Sequence, residues 1–187
     1  MKDKIMEQSV LLFEKNGFSH TSIQDIVNEL GVTKGTFYYY FSSKEELLME
    51  IQEVYITNLL RRQEQIIEND QLSPKEKLID IVNLLVTDIT ANGASARVYF
   101  RELRHLNQEN MNKIKQKRTR FRLNLEQIIR VGIEQGEFKQ DIRIDMVTFG
   151  ILGMTNWSYN WFNPTGTVSP KELVTIYTDM ILKGIED

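Results

Sequence analysis

Cysteine is absent from the 187 residues, which removes disulfides, thiolate nucleophiles and cysteine metal ligands together, and imidazole is limited to His20 and His105. No metal centre and no cofactor is expected. Long apolar runs are missing as well, since no stretch approaches the roughly 18 uninterrupted apolar residues that a membrane span requires. Met1 leads straight into the amphipathic Lys2-Asp3-Lys4-Ile5-Met6-Glu7, with neither an apolar core nor a cleavage site for a secretion signal. A cytoplasmic protein without a membrane partner is the expectation. Neither histidine stands in a catalytic pattern, no glycine-rich phosphate loop occurs, and no paired carboxylates or nucleophile-base motif can be found, so an enzyme is not expected. Alternating strand patterns are lacking, and only 3 prolines interrupt the chain.

What remains is helical sequence with short punctuation. Ile5, Ser9, Leu12 and Phe13 share one helical stripe that Gly17 closes. Thr21 to Gln24 reads as a capping box, after which Ile23, Ile26, Val27 and Leu30 recur at three and four residues until Gly31 stops them. Thr33 is a further N-cap, for a short helix from Lys34 to Tyr40 with Phe37 and Phe41 turned to the core. Ser43 with Glu46 repeats the capping box and opens a long helix from Lys44 to Glu68. Two short helices around a glycine turn, flanked by longer ones, form a helix-turn-helix unit. Beyond the polar linker 69–74, Leu78, Ile81, Val82, Leu85 and Val86 predict a core helix, followed by helices over 94–104 and 108–135. Two more close the chain, an apolar one over 146–162 carrying Gly150 and Gly153, and one with Leu173, Ile176, Tyr177, Met180, Ile181 and Gly184 in a stripe. The fold class is therefore all-α, with a helix-turn-helix domain over 1–48 and a larger helical domain over 49–187.

A net charge of -3 does not announce a nucleic-acid binder, but its distribution does more than the sum. From Gly31 to Lys44 there is no acidic residue. A recognition helix must enter a major groove about 12 Å wide and offer donors to base edges while neighbouring groups hold phosphates. The segment Lys34 to Tyr40 suits this: Lys34, Thr36, Tyr38 and Tyr39 point outward, and Gly35 lets a backbone approach closely. Three consecutive tyrosines would also make a packed aromatic helix, but outward tyrosines and a glycine at its second position are poor core design.

At these residues the sequence resembles the TetR family of bacterial repressors. The likeness rests on Thr21-Ser22-Ile23-Gln24-Asp25-Ile26-Val27, on Leu30-Gly31-Val32-Thr33-Lys34-Gly35-Thr36-Phe37-Tyr38-Tyr39-Tyr40-Phe41, and on Ser43-Lys44-Glu45-Glu46-Leu47-Leu48. Val27 departs from it, standing where the family often has alanine. The resemblance implies a homodimer on a palindromic double-stranded DNA operator, repressing transcription until a ligand occupies the C-terminal domain. By family position Gln24, Lys34, Gly35, Tyr38 and Tyr39 would reach bases, and Thr21, Thr36, Tyr40 and Lys44 phosphates.

The two terminal helices carry more apolar surface than one small core needs, which predicts a four-helix bundle with a second copy. Between Arg97 and Arg122 stand nine Lys and Arg against Glu102 and Glu109. Taken alone, this run reads as an anion site, as a solvated basic face balanced by acids from other helices, or as a face that approaches DNA. The segment from Gly153 to Gly166, followed by Ser169 to Leu173, is similar to TetR-type regulators of fatty-acid degradation (FadR type) and sterol-ring catabolism. That resemblance implies a long-chain acyl-CoA effector, with phosphates held by Arg97, Arg101, Arg104, Arg118 and Arg122 and the chain running past Phe100, Trp157 and Trp161. The competing expectation is a repressor responding to drugs or other hydrophobic ligands, for example of an efflux pump.

Overall fold

A computed structural model describes residues 1–186 of the chain, and among these it forms nine α-helices. They fall into two compact units. The first holds Met1–Thr57 and Asn92–Gln116, the second Asn58–Ala91 and the residues from Lys117 onward, so α4 and α7 contribute turns to both.

In the first unit α1 (Lys2–Asn16) buries Ile5, Ser9 and Phe13 at four-residue spacing and ends at Gly17, whose φ of 83° favours glycine. The second helix, α2 (Ile23–Leu30), starts one residue later than the capping pattern predicts. Ser22 Oγ accepts from the Asp25 amide at 3.1 Å, and the Asp25 carboxylate accepts the Ser22 amide at 2.8 Å. Thr21 is unavailable as a cap because its hydroxyl donates backwards to the Gly17 carbonyl at 2.9 Å. Gly31, in the left-handed region, ends α2, and α3 (Lys34–Tyr40) follows with Thr33 Oγ1 accepting from the Thr36 amide, as the sequence predicts. At the start of α4 (Lys44–Ile67) the Ser43 hydroxyl caps the Glu46 amide, but the Glu46 carboxylate reaches back one residue further, to Ser42. Ile26, Val27, Phe37, Phe41 and Leu47 form the buried centre of the head.

α6 (Gly93–Glu102) packs on α1 within the same unit. It stops two residues before the predicted end and tightens into a 3₁₀ turn, Leu103–His105, ahead of α7 (Gln108–Glu134).

The second unit is organised around α5 (Pro74–Ala91), which buries Leu78, Ile81, Val82, Leu84, Leu85, Val86 and Ile89 and receives α8 (Ile144–Trp161) and α9 (Pro170–Ile185). A helix buried over so wide an arc is a core element. α8 and α9 are joined by a buried hydrogen bond between Ser158 Oγ and Tyr177 OH at 2.8 Å. Near the end of α7, Phe138 covers Gly132 so closely that a Cβ there would lie 2.3 Å from the ring. No helix of the described residues is long and apolar enough to cross a membrane.

Candidate nucleic-acid interface

The seven residues of α3 divide sharply by face. Phe37 is fully buried and stacks near Phe41, with ring centroids 5.7 Å apart, which anchors the helix. Tyr38 and Tyr39 stand out instead, 54% and 81% exposed, and Lys34 and Gly35 are exposed beside them. Gly35 has no structural obligation: a Cβ there would meet only Thr33 Oγ1 at 3.5 Å, an ordinary contact, and its φ lies outside the left-handed region. Glycine in a helix costs about 1 kcal/mol relative to alanine. The fold gives no return for that cost, which points to close approach by something outside the chain. Tyr40 is half-buried, its ring edge-on to Tyr39 at 4.8 Å, and Thr36 is half-buried with its hydroxyl 3.2 Å from that of Thr33. Gln24 lies exposed on α2, donating to Asn28 Oδ1 at 2.6 Å.

Thr21 and Lys44, expected at phosphates, both turn inward. The Thr21 side chain is buried on the carbonyls of Gly17 and Leu12. Lys44 Nζ donates to the carbonyls of Phe18 and Thr21, each at 2.7 Å, and sits 4.2 Å from the centroid of the Phe18 ring. Burial holds its ammonium below the usual lysine range, against the opposing pull of Glu45 and Asp25. Around the same surface the carboxyls of Asp25 and Glu46 are held below the ordinary carboxylate range by hydrogen bonds from Ser22 and Ser42.

The residues expected to bind an effector are distributed differently from the expectation. In the first unit Arg97 and Arg101 of α6 converge on Glu14 of α1, Arg97 through Nε to Oε1 at 2.7 Å and Arg101 through Nη2 to the backbone carbonyl at 2.9 Å. Arg104 Nε contacts His105 Nε2 at 3.3 Å, and Phe100 is half-buried, edge-on to Tyr99 at 5.1 Å. In the second unit Arg122 pairs with Glu126 and lies 5.3 Å from the centre of the Phe149 ring, while Arg118 is exposed. Glu64 meets Arg120 at 2.6 Å and Glu109 meets Lys113 at 2.8 Å. Arg97, Lys113, Arg120 and Arg122 of the basic run thus carry carboxylates. Trp157 and Trp161 project from α8, 63% and 54% exposed, along the stripe of Met146, Phe149, Gly150 and Gly153. A half-open cavity of about 470 Å³ exists in the second unit, lined by Ile67, Leu72, Pro74, Lys77, Ile128 and Val131 among others, and none of the expected effector residues lines it. Among the described residues no group of three metal-ligating side chains occurs.

Residues 5–51 match the family of bacterial regulatory proteins of the tetR type, and residues 71–185 match the tetracyclin repressor-like C-terminal domain. The chain belongs to the TetR family. It is a TetR-type transcriptional regulator, built as a helix-turn-helix followed by a TetR C-terminal domain. Among its relatives is the HTH-type transcriptional repressor KstR2 of Rhodococcus jostii, 25% identical over 98% of this chain and 90% of that protein. The fatty acid metabolism regulator protein of Bacillus subtilis is 26% identical over 84% of this chain and 83% of that protein. The solved structure of the TetR family regulator PfmR from Thermus thermophilus superposes with a TM-score of 0.89, at 32% identity over 98% of this chain and 99% of that one.

Two features of this TetR protein were invisible in its sequence pattern. Glu14 is the acceptor for α6, yet it lies 83 and 87 positions from the arginines it holds, and no local signal marks it. The outward direction of Trp157 and Trp161 was equally hidden, because periodicity reveals an apolar stripe but not what faces it.

Proposed function

We propose that this TetR regulator is a homodimeric repressor that reads a palindromic operator through α3 and leaves it when a long-chain acyl-CoA binds. The observation that carries the DNA reading is the contrast within α3, where Phe37 is fully buried and Tyr39 is 81% exposed beside Lys34 and an unconstrained Gly35. Gln24, Lys34, Gly35, Tyr38 and Tyr39 are assigned to base edges, and Thr36, Tyr40 and the N-terminal amides of α3 to phosphates. Dimerisation is assigned to the exposed apolar face of α8 and α9, where Met146, Phe149, Trp157 and Trp161 stand with Ile176 and Met180. Large apolar side chains left in water on adjacent helices are the surface that a four-helix bundle buries.

The acyl-CoA reading draws on the basic run and on the relative named as a fatty acid metabolism regulator. Guanidinium groups match coenzyme A phosphates in charge and bidentate geometry, and Arg97 and Arg101 are held in this structure by a carboxylate and a carbonyl that phosphates would replace. The pairing of four cations with carboxylates favours a second class, neutral or cationic hydrophobic ligands. Calorimetric titration with palmitoyl-CoA, coenzyme A and palmitate separates the two. Micromolar binding of palmitoyl-CoA alone supports the proposal; binding of none of the three moves the effector to the hydrophobic class.

A further inference from the structure

The cavity of about 470 Å³ in the second unit lies between α7, on one side, and the last residue of α4 with the turn into α5 on the other. Its volume is that of a small-molecule site. Ile67, Leu72, Pro74, Ile128 and Val131 give it an apolar lining, and α7 adds the carboxamides of Asn124, Gln127 and Gln135. The α7 positions recur at three and four residues, so one face of that helix turns to the cavity.

Two charged side chains also line it, and they are of opposite sign. Lys77 is already engaged: its Nζ donates to the Ile67 carbonyl at 2.7 Å, one of the carbonyls that the end of α4 leaves without a helical donor. Asp70 stands exposed in the turn, where an ion pair adds little. A charged group drawn into the cavity would therefore lose water without gaining a dedicated counter-ion.

A hydrogen-bond chain behind the α7 wall fixes what the cavity offers. Gln63 is fully buried and its Nε2 donates to the Phe121 carbonyl at 2.9 Å, so its Oε1 is the atom that accepts from Asn124 Nδ2, at 3.0 Å. That sets the Asn124 carboxamide as well. Its nitrogen is engaged by Gln63, and Asn124 Oδ1 is left as an acceptor that receives no donor among the described residues.

We infer that this cavity is a binding site for an uncharged amphiphile, with an apolar body against Ile67, Leu72, Ile128 and Val131 and a hydroxyl or amide N–H that donates to Asn124 Oδ1. None of the residues assigned to DNA or to acyl-CoA lines it. It is a second ligand site, and the outcome with palmitoyl-CoA does not bear on it.

Calorimetric titration of the full-length protein with probes built on one heptyl chain tests it. Octanamide should bind once per chain with a submillimolar Kd. Methyl octanoate, which keeps the carbonyl but has no donor, should bind about fivefold more weakly, the size of one neutral hydrogen bond. Octanoate and octylammonium should each bind weaker by about tenfold or more. No binding of octanamide, or equal or tighter binding of any of the other probes, overturns the inference. Position is tested with Val131→Trp, which puts an indole into the cavity from α7 and should abolish octanamide binding. Leu72→Trp fills it from the opposite side, should do the same, and serves if Val131→Trp does not fold. Undiminished binding in a folded variant would place the probe elsewhere, such as the apolar face of α8 and α9, and overturn the inference. If neither variant folds, the probe series on the wild-type protein decides alone.

Discussion

Glu14, in the last turns of α1, receives Arg97 of α6 on one carboxylate oxygen, with Nε at 2.7 Å and Nη2 at 2.5 Å. Its backbone carbonyl receives Arg101 at 2.9 Å. One residue therefore holds both of these arginines, which the acyl-CoA proposal assigns to phosphates, and ligand and Glu14 become competitors for them. Removing the carboxylate frees a guanidinium that keeps 37% of its side chain exposed, so the stability cost of Glu14→Gln should stay at about 1 kcal/mol or less. The affinity for palmitoyl-CoA should rise several-fold in calorimetry. Unchanged affinity would detach Arg97 from the effector; Arg101, held by the backbone carbonyl, is left in place by this substitution.

The two faces of α3 predict opposite phenotypes. Phe37→Ala empties a fully buried aromatic site and should destabilise the protein by about 3 to 5 kcal/mol in denaturant unfolding. Tyr39→Ala and Lys34→Ala remove exposed groups and should leave unfolding unchanged within about 0.5 kcal/mol while weakening binding to a duplex selected by the wild-type protein from a random-sequence pool. Loss of stability in Tyr39→Ala would mean that the tyrosine packs.

The head was legible because its signals are local. Thr33 caps α3, Gly31 ends α2, and Lys34 to Tyr40 form the helix that their spacing predicts. At Thr21 the pattern is displaced by one residue, because the threonine hydroxyl is captured by Gly17 and leaves capping to Ser22 and Asp25. The inward turn of Lys44 has no local signal, since the carbonyls that take its charge lie 23 and 26 residues back. The basic run looked unbalanced for the same reason: Glu14 and Glu64 come from other helices, and charge counted along a sequence omits them.

Gly132 offers a test of packing away from any site. The Phe138 ring is fully buried, and a Cβ on Gly132 would come within 2.3 Å of it, so the ring would have to shift within a packed site. Although alanine is the better helix former, Gly132→Ala should destabilise by about 1 to 3 kcal/mol through overpacking. A more stable variant in thermal unfolding would show that the ring can shift.

Trp157 is 63% exposed on α8 and is assigned to the face shared with a second copy. Light scattering should give twice the 22.0 kDa of one chain. Trp157→Glu should shift the protein to monomer or aggregate, because a carboxylate buried in an apolar bundle without a partner is strongly unfavourable. Retention of a wild-type dimer in this variant and in Met180→Glu would remove the face from the interface.

Operator release joins the DNA-binding and effector-binding proposals, and fluorescence anisotropy of the selected duplex reads it directly. The duplex should be palindromic and bound by one dimer; palmitoyl-CoA should release it at micromolar concentration, with coenzyme A and palmitate far weaker, because charge and chain are separately required. Selection of no duplex, or equal release by palmitate and palmitoyl-CoA, would contradict acyl-CoA-controlled repression.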